Sequence, residues 1–219
     1  MADLSERLNQ VDCCAVSDAL DSFGLPPAIQ GLAPLTVRKR ISGRAVTVKL
    51  GSTPPDTGTD RHLGAGAIDA AKSGDVIVVE HVSRDDCAGW GGVLSTGACL
   101  AGVSGVVIDG AARDIDEAHE LEFPVYGRKA IAVTARGRVY EQSYNQAIEV
   151  GGVGVSPGDY VIADSSGVAV IPQGRAEDVI SKAEMIAGKE RLMVEELRKG
   201  RPISDVMGLD YEKMLDNQD

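Results

Sequence analysis

The residues best suited to chemistry are Arg113 and Asp114, a guanidinium beside a carboxylate at the end of GVVIDGAARD, residues 105–114. Arginine is a permanent cation whose planar fork donates in parallel to a carboxylate or an oxyanion. Aspartate is a hard oxygen ligand suited to Mg2+ or Mn2+, ions that keep several waters and need few protein carboxylates. A second piece lies upstream in AGWGGVL, residues 88–94, a glycine-rich turn ahead of a small-residue segment, 95–101, that reads as a helix. Backbone N–H groups of Gly91, Gly92, Val93 and Leu94 would there face an anion. Together the two pieces could hold a 2-oxo acid, with amides on its carboxylate and with Arg113 and a metal at Asp114 on its keto oxygen. That is the electrostatic arrangement an enolate requires.

Plainer readings stand beside this one. Arg113-Asp114 also fits an ordinary surface ion pair or a helix cap, and Asp109 before Gly110 fits the closing of a turn. Trp90, the single tryptophan, reads as a pocket wall or a core plug. His62, His81 and His119 are not spaced as a metal triad. His81, placed at a strand exit, is the best acid/base candidate of the three, with a satisfied structural histidine as the stronger reading.

The frame for these residues is a chain of 219 amino acids, enough for one domain with a real core, 1–219, with a helical segment at 1–24 and a helical arm at 176–219. Hydrophobic residues make up 43% and aromatics only 4%, so packing rests on Val, Ile, Leu and Ala. A net charge of -11 excludes a general nucleic-acid or anionic-membrane binder, which needs a basic footprint, but suits a basic protein partner. Cys13, Cys14, Cys87 and Cys99 have no metal-ligand spacing and read as structural thiols, with the Cys13-Cys14 pair filling a core. No signal-peptide core opens the chain and no apolar run could span a bilayer, so a cytoplasmic protein is expected.

Periodicity predicts one helical segment over 4–23, ended by Gly24, then a solvated Arg38-Lys39-Arg40 and a strand over 43–50. A loop follows at 51–58, a helix at 63–72 and a buried strand at 76–79. Residues 106–108 form the next strand, which breaks at Asp109-Gly110, and 115–122 a short acidic helix. Strands are expected at 124–126, 130–134, 139–144 and 147–150, then a hairpin of 160–164 and 168–172 turning at Ser165-Ser166-Gly167. A long amphipathic helix over 176–199 would bury Val179, Ile180, Ile186, Leu192, Met193 and Leu197, and the acidic tail beyond Arg201 would fray or pack on a neighbour. This is α/β with mixed β layers, without the βα repetition of a barrel or a nucleotide-binding glycine loop. Gly64-Ala65-Gly66 reads as packing.

GWGGVLSTGACLAGVSGVVIDGAARDIDE, with SGDVIVVE before it and SPGDYVIADSSGVAVIP after it, resembles the RraA-like family. That family contains regulators of ribonuclease activity and 4-hydroxy-4-methyl-2-oxoglutarate aldolases, which are class II pyruvate aldolases that also decarboxylate oxaloacetate. The resemblance implies a swivelling β/β/α-type fold, assembled as a homotrimer or hexamer with sites at subunit interfaces. By position it implies that residues 91–94 bind the pyruvyl carboxylate, Arg113 the keto or enolate oxygen, and Asp114 a Mg2+ or Mn2+ ion. The expected activity is therefore a metal-dependent lyase on a small 2-oxo acid, with a protein-binding regulator without turnover as the alternative. In one place the chain departs from the pattern: Gly92 stands where the family often has an acidic residue that orders metal-bound water, and no sequence neighbour obviously replaces it. The resemblance also implies a C-terminal glutamate from an adjacent subunit, for which Glu190, Glu195 and Glu196 stand as alternatives.

Overall fold

The computed structural model describes residues 3–55 and 61–208. Helices α1 (Leu4–Leu8) and α2 (Cys13–Ser22) come first, then strands β1 (Ala33–Pro34) and β2 (Ile41–Gly51). Next are α3 (Ala65–Ala70), β3 (Val76–Trp90), α4 (Gly92–Leu100), β4 (Gly105–Ala112) and α5 (Ile115–Glu120). Short strands β5 (Val125–Gly127), β6 (Lys129–Ala130), β7 (Tyr140–Tyr144), β8 (Ile148–Val150) and β9 (Val153–Val155) follow. The chain continues through β10 (Tyr160–Asp164), β11 (Gly167–Ile171), α6 (Ala176–Arg198) and α7 (Ile203–Val206).

The main sheet runs β1-β5-β4-β3-β2-β10-β11, with β6 added beside β4 and β7 beside β2. Its centre, β2-β3-β4-β5, is parallel, whereas β10 joins β2 antiparallel and turns back on β11. Both faces of the centre are covered, as a parallel sheet requires. On one face Val48, Ile77, Val79, Val106 and Ile108 pack under Ala67, Leu94, Ala98 and Ala118 of α3, α4 and α5. On the other, Val76, Val78 and Val107 meet the β8-β9 ribbon through Ile148, Val150 and Val155. The outer side of β10-β11 is covered by α1, α2 and α6. All eight residues of β4 are buried. Burying each Val or Ile contributes about 1.5–3 kcal/mol, so whatever β4 carries at its end is held on a rigid element.

The α/β class and the two terminal helical regions are as expected; several details differ. The helix over 4–23 is two helices, because the Asp12 side chain accepts from the Ala15 N–H at 2.9 Å and starts a new one. Cys13 is buried but Cys14 is exposed, so only one of the pair fills the core. Strand β4 does not break at Asp109-Gly110: Asp109 is 3% exposed and pairs with Arg128 at 2.6 Å, which lets a charge sit inside the strand. Strand β3 likewise runs through His81 and on to Trp90, with register shifts and left-handed Val82 and Ser83. His81 is thus buried within the sheet rather than placed at an exit, and its Nε2–H donates to the Cys87 carbonyl at 2.9 Å. The helix at 63–72 shortens to α3, and the strand at 130–134 to β6. On α6, Leu192 is exposed while Val179, Ile180 and Ile186 are buried. The hairpin at Ser165-Ser166-Gly167 and the solvated Arg38-Lys39-Arg40 are as read from sequence. Residues 56–58 of the expected loop and the tail from 209 lie outside the described residues.

Candidate active site

Because β3 and β4 are parallel neighbours, both end on the same edge of the sheet, and each end leads directly into a helix. The Arg113 N–H donates to the Trp90 carbonyl at 3.0 Å, so the two predicted pieces meet. Asp114 caps α5 in the left-handed conformation, φ 56° and ψ 44°, which an aspartate tolerates better than most residues. Its carboxylate then points back at the glycine turn and accepts the Gly92 N–H at 3.0 Å and the Arg113 Nε–H at 3.1 Å.

This close approach explains the glycines. A β-carbon at position 91 would lie 2.8 Å from the Asp114 Oδ2 and 3.2 Å from the Arg113 Cγ. At position 92 it would collide with the Glu117 Oε2 and lie 3.1 Å from the Asp114 Cβ. The carboxylate of Glu117, on the first turn of α5, therefore fills the room that the missing side chain of Gly92 leaves. An acidic side chain does stand beside position 92, and it comes from three positions past Asp114.

Helix α4 begins at Gly92 with no side-chain cap. The Ser95 N–H is bonded to the Gly91 carbonyl and that of Gly92 to Asp114, whereas those of Val93 and Leu94 have no partner among the described residues. They are the orphan donors every helix start leaves, and with the helix dipole they favour an anion. Arg113 meets Asp114 through Nε alone, so its two terminal nitrogens have no partner among the described residues either. Trp90 is both wall and core: 2% exposed, it donates from Nε1 to the Ser95 Oγ at 3.0 Å and floors the cleft.

The cleft measures ≈ 270 Å³ and takes in Trp90, residues 91–94, Arg113 and Asp114. Its size suits a small acid better than a nucleotide. Three of its lining residues, His62, Thr134 and Arg136, were not singled out as site residues by their place in the sequence. The segment carrying Thr134 and Arg136 arrives because β6 pairs with the end of β4 and the Ala88 N–H then donates to the Val133 carbonyl at 3.0 Å. No local signal in the sequence announces that pairing. His81, His119, Glu190, Glu195 and Glu196 do not line the cleft; Glu190 sits near Asp12 and Asp18, and Glu196 holds Lys199.

Among the described residues no group of three or more His, Cys, Asp or Glu is arranged to hold a metal. Among the described residues the carboxylate donors at the turn are those of Asp114 and Glu117. Two carboxylates without nitrogen or sulfur do not fit zinc, and they do fit Mg2+ or Mn2+, which keep most of their waters.

The RraA-like family model, described as Aldolase/RraA, matches residues 13–170. The chain belongs to the RraA-like family. An RraA-like relative from Halalkalibacterium halodurans, named "Putative 4-hydroxy-4-methyl-2-oxoglutarate aldolase", is 34% identical over 97% of this chain and 96% of its own. Protein DlpA of Legionella pneumophila is 31% identical over 83% of this chain, but this chain spans only 29% of DlpA. The crystal structure of an uncharacterized protein from Pseudomonas syringae pv. tomato superposes with a TM-score of 0.84 at 29% identity, covering 94% of this chain and 96% of that one. The RraA-like fold is therefore shared along nearly the whole length, and no helix among the described residues is long and apolar enough to cross a membrane.

Proposed function

We propose that this RraA-like chain is a divalent-metal-dependent carbon–carbon lyase acting on a small 2-oxo acid, of the class II pyruvate aldolase type. The observation that carries the reading is the convergence, in one small cleft, of the unpaired Val93 and Leu94 amides with an Arg113 oriented by Asp114. In this reading the α4 amides take the substrate carboxylate, where the helix start already favours negative charge. The terminal nitrogens of Arg113 take the 2-oxo oxygen. As the 4-hydroxyl gives up its proton to water and C4 becomes a carbonyl, or as CO2 leaves, the C3–C4 bond breaks; its electron pair moves toward C2 and that oxygen gains charge, which a preorganised guanidinium stabilises without reorganising. Asp114 holds Arg113 in that orientation, and Trp90 closes the floor against water. A Mg2+ or Mn2+ ion held by Asp114, with Glu117 beside it, would add Lewis-acid stabilisation of the same oxygen. Cleavage of 4-hydroxy-4-methyl-2-oxoglutarate and decarboxylation of oxaloacetate both break this bond, so one site serves both.

Self-association as a trimer or hexamer and a cytoplasmic location belong to the same proposal. On α4, Val93 and Leu100 are 87% and 84% exposed, two large apolar side chains on the helix that starts at the cleft. Light scattering on the purified chain reads the assembly.

The deciding experiment measures pyruvate released from both acids with Mg2+ or Mn2+ and again with EDTA, beside Asp114→Ala and Arg113→Ala. Release that needs metal, disappears in Asp114→Ala and nearly disappears in Arg113→Ala is expected. Near-normal activity in either variant overturns the residue roles. No release from either acid by the folded protein overturns the lyase in favour of the ribonuclease regulator.

A further inference from the structure

The amides of α4 and Arg113 account for one end of a substrate, and the cleft extends beyond them to Thr134, Ala135 and Arg136. We propose that Arg136 binds the second carboxylate of a dicarboxylic 2-oxo acid and so sets the preference of the cleft for diacids over monoacids; this rests on the 2-oxo acid reading above.

The segment that carries Arg136 is anchored on both sides. Before it, the Ile131 N–H donates to the Ala112 carbonyl at 2.9 Å and the Val133 carbonyl accepts from Ala88. After it, the N–H groups of Arg138 and Val139 both donate to the Ala135 carbonyl at 2.9 Å, closing a turn, and the Arg136 N–H itself donates to the Thr134 Oγ1 at 3.2 Å. The backbone at Arg136 is thus fixed at the cleft while its guanidinium has no partner among the described residues. Arg7, Arg84, Arg128 and Arg175 each hold a carboxylate, whereas Arg136 holds none among the described residues, in a chain where 33 acidic residues outnumber 22 basic ones.

The charge balance of the cleft points the same way. Among the described lining residues the one acid, Asp114, is already engaged by Arg113 and the Gly92 N–H. Against it stand two guanidiniums and the orphan amides of a helix start, so even with Glu117 beside the turn the described lining offers anion-binding groups at both ends. A monocarboxylate compensates only one end of that arrangement. A dianion compensates both, and an arginine fork matches a carboxylate with two parallel hydrogen bonds.

The test compares binding of 2-oxoglutarate and pyruvate to the full chain with Mg2+ present, by calorimetry, in the wild type, Arg136→Gln and Arg136→Lys. The wild type is expected to bind the diacid more tightly. Arg136→Gln should weaken 2-oxoglutarate about tenfold or more while pyruvate moves less than about twofold, and Arg136→Lys should recover part of the loss. Equal weakening of both acids, or no change in either, overturns the role of Arg136 and leaves the 2-oxo acid site standing. A wild type that binds neither acid overturns the site itself and this inference with it.

Discussion

The carboxylate of Glu117 sits where a side chain on residue 92 would have to go, so the two positions compete for one space. The contact is with the far end of an exposed, flexible side chain, which can swing away at modest cost. Gly92→Ala should therefore fold and lose about 1 kcal/mol or less, most of it from displacing Glu117. In a double-mutant cycle with Glu117→Ala, the pair should recover at least about 0.5 kcal/mol of that loss, because removing Glu117 frees the space. Urea unfolding of the four proteins reads the coupling, and strict additivity would show that the two residues do not compete.

Asp109 is a buried charge held from three directions. Its side chain is 5% exposed and accepts from the Arg128 Nε–H at 2.6 Å, from the Gly151 N–H at 3.1 Å and from the Ser83 hydroxyl at 3.1 Å. Together these bonds tie the end of β4 to the β8-β9 ribbon. Asp109→Ala leaves a guanidinium and an amide without their acceptor and should cost about 3 kcal/mol. Chemical denaturation checks this; a loss below about 1 kcal/mol would mean that water replaces the carboxylate readily.

These two relationships show what the sequence can and cannot display. Val106-Val107-Ile108 followed by Arg113-Asp114, and the Gly91-Gly92 turn before a helix, are local patterns, and the structure brings these two pieces together. Their meeting follows from one rule, that parallel neighbours end on the same edge. Asp109 and Arg136 were illegible for a different reason. A charge within a strand reads as a break because its partners, Arg128 and Gly151, are 19 and 42 residues away. Arg136 reaches the cleft through the pairing of β6 with β4 and the Ala88–Val133 bond beyond it, which the two-residue β6 does not signal. The split at Asp12 did carry a signal, an N-cap aspartate, but apolar periodicity on either side of it concealed the turn.

His81 predicts how stability depends on pH. Burial pushes its imidazole below the ordinary histidine value; the hydrogen bond to the Cys87 carbonyl opposes that shift, as do Asp86 and Asp109, while Arg84 adds to it. The unfolded chain takes up the proton near pH ~6.5 and the folded chain only lower, so between those values the unfolded state binds more protons. The contribution of His81 is then complete above pH ~6.5 and is lost as the pH falls toward the folded value. Denaturation curves at pH 7.5 and pH 5.5 should show a larger loss in the wild type than in His81→Gln. Equal losses would place the acid sensitivity elsewhere.

Arg113 offers the sharpest test of the proposed chemistry, because its role depends on shape as well as charge. One nitrogen, Nε, is bound to Asp114 at 3.1 Å, and this leaves the two terminal nitrogens to face a substrate oxygen together. A lysine keeps the charge, but its single ammonium cannot pair with Asp114 and also present two fixed donors. Arg113→Lys should therefore lower kcat/KM for pyruvate release by about 100-fold, the scale seen when one preorganised oxyanion donor is removed. Metal affinity, read from Mn2+ binding, should change far less, since no metal donor is lost. Lysine activity within threefold of the wild type would mean that a positive charge suffices at this position and that the fork geometry is incidental.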